Sequence, residues 1–162
     1  NLYLQFLGDS TKGLDAAVKQ YDELVKDFSG SEYTVRASLY MAKLQAGKND
    51  LAASRAHLQW ALDHARDDGT KHISRLRLAR MQMADGDVDA ADKLIAGIAD
   101  SSFTTLYEEL RGDIAMARGK MDEAHAAYER ALVAMPENLP GRALIEAKRD
   151  DTLRNSAAEK TS

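Results

Sequence analysis

Residues 111–136 read RGDIAMARGKMDEAHAAYERALVAMP. Gly112 is followed seven residues later by Gly119-Lys120, then by Ala124, Tyr128, Ala131-Leu132 and Pro136. The same register, 33 residues upstream, holds Leu78-Ala79, Gly86-Asp87, Ala91, Ile95 and Ile98. A further copy, 37 residues before that, holds Met41-Ala42, Asn49-Asp50, Ser54, Leu58 and Ala61-Leu62, and Ala17, Tyr21 and Leu24-Val25 supply the second half of another. A unit recurring at this period is one supersecondary element that cannot bury its apolar face alone and must stack on its neighbours.

The chemistry of each position says what the element is. A small residue at Ala42, Ala79 or Gly112 faces a small residue at Ser54, Ala91 or Ala124, so two helices can approach closely. The Gly/Asn-Asp segments between them suit a turn, and Asp50, Asp87 and Asp122 sit where a carboxylate can accept free N–H groups of the second helix. Leu58, Ile95 and Tyr128 are large enough to wedge between consecutive pairs. Pro136 closes the last full unit because proline cannot continue a helix interior.

Composition agrees. Of 162 residues, 44% are hydrophobic and 30% charged; 27 are Ala, and the 10 aromatics are 3 Phe, 6 Tyr and 1 Trp. Ala, Leu, Lys, Glu and Arg favour helices, and runs of the β-branched residues that strands prefer are missing. With 22 basic and 26 acidic side chains the net charge is −4, which disfavours nucleic acid as a partner. There is no Cys, so disulfides, thiolate zinc sites and Cys nucleophiles are excluded. No stretch reaches the roughly 18 to 20 apolar residues of a membrane span. The chain begins at Asn1 without Met and reads as an excised fragment; Asn1-Leu2-Tyr3-Leu4-Gln5 is faintly similar to a protease-site scar, but the apolar run through Phe6 and Leu7 favours native helix.

The expected map is all-α: one domain over 1–154, with repeats about 1–30, 32–66, 70–100 and 103–138 and a capping helix over 140–154, then a flexible tail over 155–162. Helices are predicted at 1–8, 11–28, 32–47, 50–66, 70–85, 88–99, 103–118, 121–135 and 140–154, with Pro140 near a first helical position. The insertion Asp67-Asp68-Gly69-Thr70 predicts a mobile loop.

The spacing over residues 105–138 resembles the tetratricopeptide repeat, which implies a right-handed superhelix of helical hairpins. A finer resemblance rests on Leu76-Arg77-Leu78-Ala79-Arg80-Met81-Gln82, Ala90-Ala91, Leu110-Arg111-Gly112-Asp113 and the closing run Ala143 to Asp151. These look like the periplasmic domain of the YfgM family, ancillary subunits of the SecYEG translocon. That resemblance implies a domain on the periplasmic side of the bacterial inner membrane, attached through an N-terminal anchor outside this sequence. It also implies as partners the translocon, a membrane-bound periplasmic prolyl isomerase chaperone and newly exported clients. The alternative is an adaptor with one fixed partner in envelope assembly or regulation.

No catalytic constellation emerges and no cofactor is expected. Asp85-Gly86-Asp87-Val88-Asp89 fails as a calcium loop, because the positions that need Gly and Glu hold Ala90 and Ala96. His57, His64, His72 and His125 do not converge at metal-ligand spacing. Glu108 and Glu109 are adjacent on a helix and diverge by about 100°, a poor acid/base pair. The inward positions of the first helix of each repeat give the candidate partner groove: Arg36, Leu39, Lys43 and Ala46; Ile73, Leu76, Arg80 and Met83; Leu106, Glu109, Asp113 and Met116. Their expected character is an apolar ladder with a basic end at Lys43 and Arg80, an acidic end at Glu109 and Asp113, and pliable Met surface. The same stripe reads equally well as core.

Overall fold

The computed structural model describes residues 2–10, 13–98 and 102–159, the last five as backbone. Its regular elements there are all helices: α1 (Leu2–Ser10), α2 (Leu14–Phe28), α3 (Glu32–Gly47), α4 (Leu51–His64), α5 (Asp68–Ala84), α6 (Val88–Ile95), α7 (Thr104–Ala117), α8 (Met121–Ala134) and α9 (Arg142–Glu159). They pack as two units, residues 1–78 and 79–162, with α5 running through the boundary.

The turns explain why Gly and Asn recur. Asn49, Gly86 and Gly119 occupy one repeat position and share a left-handed backbone, with φ of 63°, 82° and 71°. The residue after each donates back to a carbonyl five residues earlier at one distance: Asp50 N to Gln45 O, Asp87 N to Gln82 O and Lys120 N to Ala115 O are all 2.9 Å. Such a turn satisfies orphan carbonyls at the end of the first helix and reverses the chain. Asp50 and Asp87 then cap the second helix, accepting from Ala53 N at 3.0 Å and Ala90 N at 3.1 Å. The third copy corrects the expectation. Its cap position is Lys120, without a side-chain cap, and Asp122 lies inside the first turn of α8, where it can only favour the helix dipole.

Other boundaries shift for local reasons. Asp68-Gly69-Thr70 is the first turn of α5 rather than loop, because Asp67 Oδ1 accepts from Thr70 N at 2.7 Å and starts the helix early. α6 stops at Ile95; position 99, its expected end, lies outside the described residues. Pro140 stays in the turn ahead of α9, whose entry uses Gly141 at φ 95°. The α9 backbone is helical through Glu159, past 154, where the tail was expected to begin; residues 160–162 lie outside the described residues.

In unit 1 the core gathers Phe6, Ala17, Tyr21, Leu24, Ala37 and Met41. Phe6 is fully buried and meets Tyr40 edge-on at 5.7 Å, so α1 is part of the fold. Small polar residues tie three helices: Tyr21 donates to Ser38 Oγ (3.0 Å), and Ser38 donates to the His57 carbonyl (2.8 Å). Ser54 donates to the Ala42 carbonyl at 2.8 Å, which records the close approach that the small pair allows. His57 packs edge-on against Tyr21 at 4.9 Å, and burial lowers its pKa despite the opposing pull of Asp22 and Asp50.

In unit 2, Ala115, Ala124, Tyr128, Ala131, Leu132 and Ile145 join α7, α8 and α9. Arg142 covers the end of α8, donating to the Leu132 and Met135 carbonyls at 3.0 Å each. Gly112 is buried, and only glycine fits there because a Cβ would overlap the Tyr128 ring.

Two outcomes follow from this packing. Gly112→Ala forces the Tyr128 ring aside and should lower unfolding stability by about 1–3 kcal/mol, read as a lower urea midpoint; an unchanged midpoint would show that the ring yields freely. Because the folded His57 pKa is depressed, its contribution is intact above the ordinary value of 6.5 and is lost as the pH falls below that toward the folded value. Stability measured between pH 7.5 and 5 should therefore fall less steeply in His57→Gln than in the parent.

Candidate functional site

On α3, Arg36, Lys43 and Ala46 are exposed, while Leu39 is half-buried against the Val35, Ala61 and Ala65 cluster with Trp60. Tyr33 is 54% exposed and Tyr40 half-buried. The accessible α3 face is thus Tyr33, Arg36, Tyr40 and Lys43, aromatic and cationic in alternation. Neither Arg36 nor Lys43 has a carboxylate partner among the described residues. Leu39 is a packing residue, one rung fewer in the expected ladder.

On α5 the accessible stripe is Ile73, Arg77, Arg80 and Ala84, spaced i, i+4, i+7 and i+11. Leu76 is 2% exposed, so it is corrected from groove to core. Met83 is half-buried. Arg77 was missed because the repeat pattern was carried over position by position. Reading the wheel from Ile73 at 100° per residue would have found it.

α7 departs furthest from expectation. Leu106, Glu109, Asp113 and Met116 are all half-buried, and Met116 packs on the Tyr128 cluster. Lys148 of α9 reaches Glu109 Oε1 at 2.8 Å and Asp113 Oδ1 and Oδ2 at 2.9 and 3.0 Å. Tyr128 donates to Asp113 Oδ1 at 2.8 Å, and Arg80 reaches Glu109 Oε2 at 3.5 Å. Burial, the bond to Asp113 and the two negative charges together push the Tyr128 pKa far up. For Lys148, burial lowers the pKa, but the bonds to Glu109 and Asp113 prevail and the net shift is upward.

The expected division of charge is corrected by these contacts. The acidic end is neutralised inside the fold, and the basic Arg80 pairs with Glu109 instead of standing opposite it. Glu108 and Glu109 do diverge: Glu108 takes Arg111 and Arg130, the latter at 2.8 Å, on another face. Nothing near Glu109 in sequence announces Lys148, which is 39 residues away. The site residues left open without an ion pair to any described residue are Arg36 and Lys43 on α3 and Arg77 on α5, with Tyr33 and Ile73 exposed on the same two helices. Such groups make ion pairs and apolar contacts with a polypeptide.

Helical hairpins joined by one shared turn geometry, with α3 and α5 presenting mixed cationic and apolar faces, define a helical-repeat protein-interaction domain. The chain belongs to the tetratricopeptide repeat-like domain family, whose model matches residues 1–154. Similar proteins are each named ancillary SecYEG translocon subunit. That of Aggregatibacter actinomycetemcomitans is 28% identical over 80% of this chain and 63% of the relative. The protein of Escherichia coli K12 is 33% identical over 60% and 47%, and that of Haemophilus influenzae 32% identical over 68% and 54%. The resemblance read from residues 76–113 and 143–151 agrees with these matches, and the chain spans less than two thirds of each of these relatives.

Lys148→Met should cost on the order of 1.5–3 kcal/mol, because it leaves Glu109 and Asp113 facing each other without their shared donor. Since the folded Lys148 pKa is raised, the parent's advantage is full below 10.5 and shrinks as the pH rises through the folded value. Denaturant midpoints of parent and variant at pH 7 and 11 check both points.

Proposed function

We propose that this domain is a non-enzymatic protein-binding module that works beside a SecYEG-type translocon. On this reading it lies on the periplasmic side of the inner membrane and joins a membrane-bound periplasmic prolyl isomerase chaperone in handling newly exported proteins. What carries the reading is the match, over 80% of this chain, to a relative named for that translocon. The family supports it too, since tetratricopeptide-like repeats present side chains of successive helices to other polypeptides. Among the described residues no helix is long and apolar enough to cross a membrane.

Affinity purification of the full-length protein from bacterial membranes should recover translocon components; repeated recovery of none would remove the reading. A chaperone role adds a second expectation. The purified domain should delay aggregation of several unrelated unfolded proteins, whereas an adaptor with one fixed partner would leave them all unaffected.

A further inference from the structure

Unit 1 carries a cavity of about 240 Å³ lined by Leu2, Tyr3, Leu24, Phe28, Ser31 and Tyr33. Its rim is unusually apolar for a surface: Phe28 is 51% and Tyr33 54% exposed. Tyr3 and Tyr33, both lining the cavity, meet with ring centroids 5.3 Å apart. A cavity of this size accepts one large apolar side chain and no more.

Tyr33 also begins the α3 stripe. Arg36 and Lys43 follow it on the same face, three and ten residues on, or about 4.5 and 15 Å along the helix axis. Both are exposed and neither has a carboxylate partner among the described residues. In unit 2 every described cation but Lys93 pairs with a carboxylate: Arg80, Arg111, Arg118, Lys120, Arg130, Arg142, Lys148, Arg149 and Arg154. Arg36 and Lys43 thus place unpaired positive charge on the helix that starts at the apolar pocket.

We propose that the pocket and the α3 stripe form one docking site for an acidic peptide segment carrying a large apolar side chain. The apolar side chain fills the cavity beside Phe28 and Tyr33, and carboxylates pair with Arg36 and Lys43. An extended segment rises about 3.3 Å per residue, so the carboxylates fall one or two and four or five residues from the anchor. This site rests on the reading of the domain as a polypeptide binder and names the chemistry of what it binds. A second copy fits poorly, because an isologous contact on this face would bring Arg36 and Lys43 against their own counterparts.

The test is fluorescence anisotropy of the full chain with a short labelled peptide holding one Phe followed by Glu at the second and fifth places, and with its Lys-for-Glu counterpart. The acidic peptide should bind saturably. Arg36→Glu with Lys43→Glu should weaken it about ten-fold or more while restoring binding of the Lys peptide, and Phe28→Ser should weaken both. All three residues are exposed, and the charge-swap rescue shows that the double variant is folded. The proposal is overturned if the parent binds both peptides alike, or if the double variant binds the acidic peptide as the parent does. It is also overturned if Phe28→Ser abolishes self-association or binding to phosphatidylglycerol vesicles while the peptide never binds. Translocon recovery by the full-length double variant separates the two readings: recovery without any peptide binding by the parent removes this site alone, and peptide binding without recovery removes the translocon assignment alone.

Discussion

Two helices come only as near as their facing side chains permit, and the α3–α4 and α7–α8 hairpins are built on positions where those side chains have been reduced to almost nothing. Ser54 reaches the Ala42 carbonyl at 2.8 Å, and Gly112 yields the space that Tyr128 fills. Close approach lets a large residue from the second helix lie over the first and bury completely; Ile95 is 1% and Tyr128 2% exposed. Full burial of one such side chain is worth about 1.5–3 kcal/mol, repeated unit by unit. The alanine excess is thus a consequence of spacing as much as of helix propensity.

The left-handed turn is the second half of that constraint. A hairpin whose helices nearly touch has little room for its connection, and Asn49, Gly86 and Gly119 provide the same compact reversal at equivalent positions. Asn tolerates positive φ better than other residues with a Cβ, which accounts for its appearance where Gly is otherwise used.

Much of this is legible along the chain, and the exceptions have local causes. Small–small pairing, turn positions and wedge residues announce themselves by period, because each acts within one hairpin. Side-chain exposure on the first helices was less legible: Leu76 and Arg77 differ by 100° on the wheel, so a pattern carried over one position off exchanges core for surface. Least legible was the fate of Glu109 and Asp113. Their partner Lys148 belongs to another helix, and charge on a helix face does not say whether its counterion comes from the same chain. The start of α5 was misplaced because Asp67-Asp68-Gly69 has turn composition, yet Asp67 uses it to nucleate a helix.

The Lys148 contact also orders events in time. Hairpin turns close over a handful of residues, and such short loops form quickly. The bonds from Lys148 to Glu109 and Asp113 span 39 and 35 residues and need α7 and α8 already paired, since Tyr128 holds Asp113 in place. By loop-closure length, docking of α9 follows formation of the hairpin it locks.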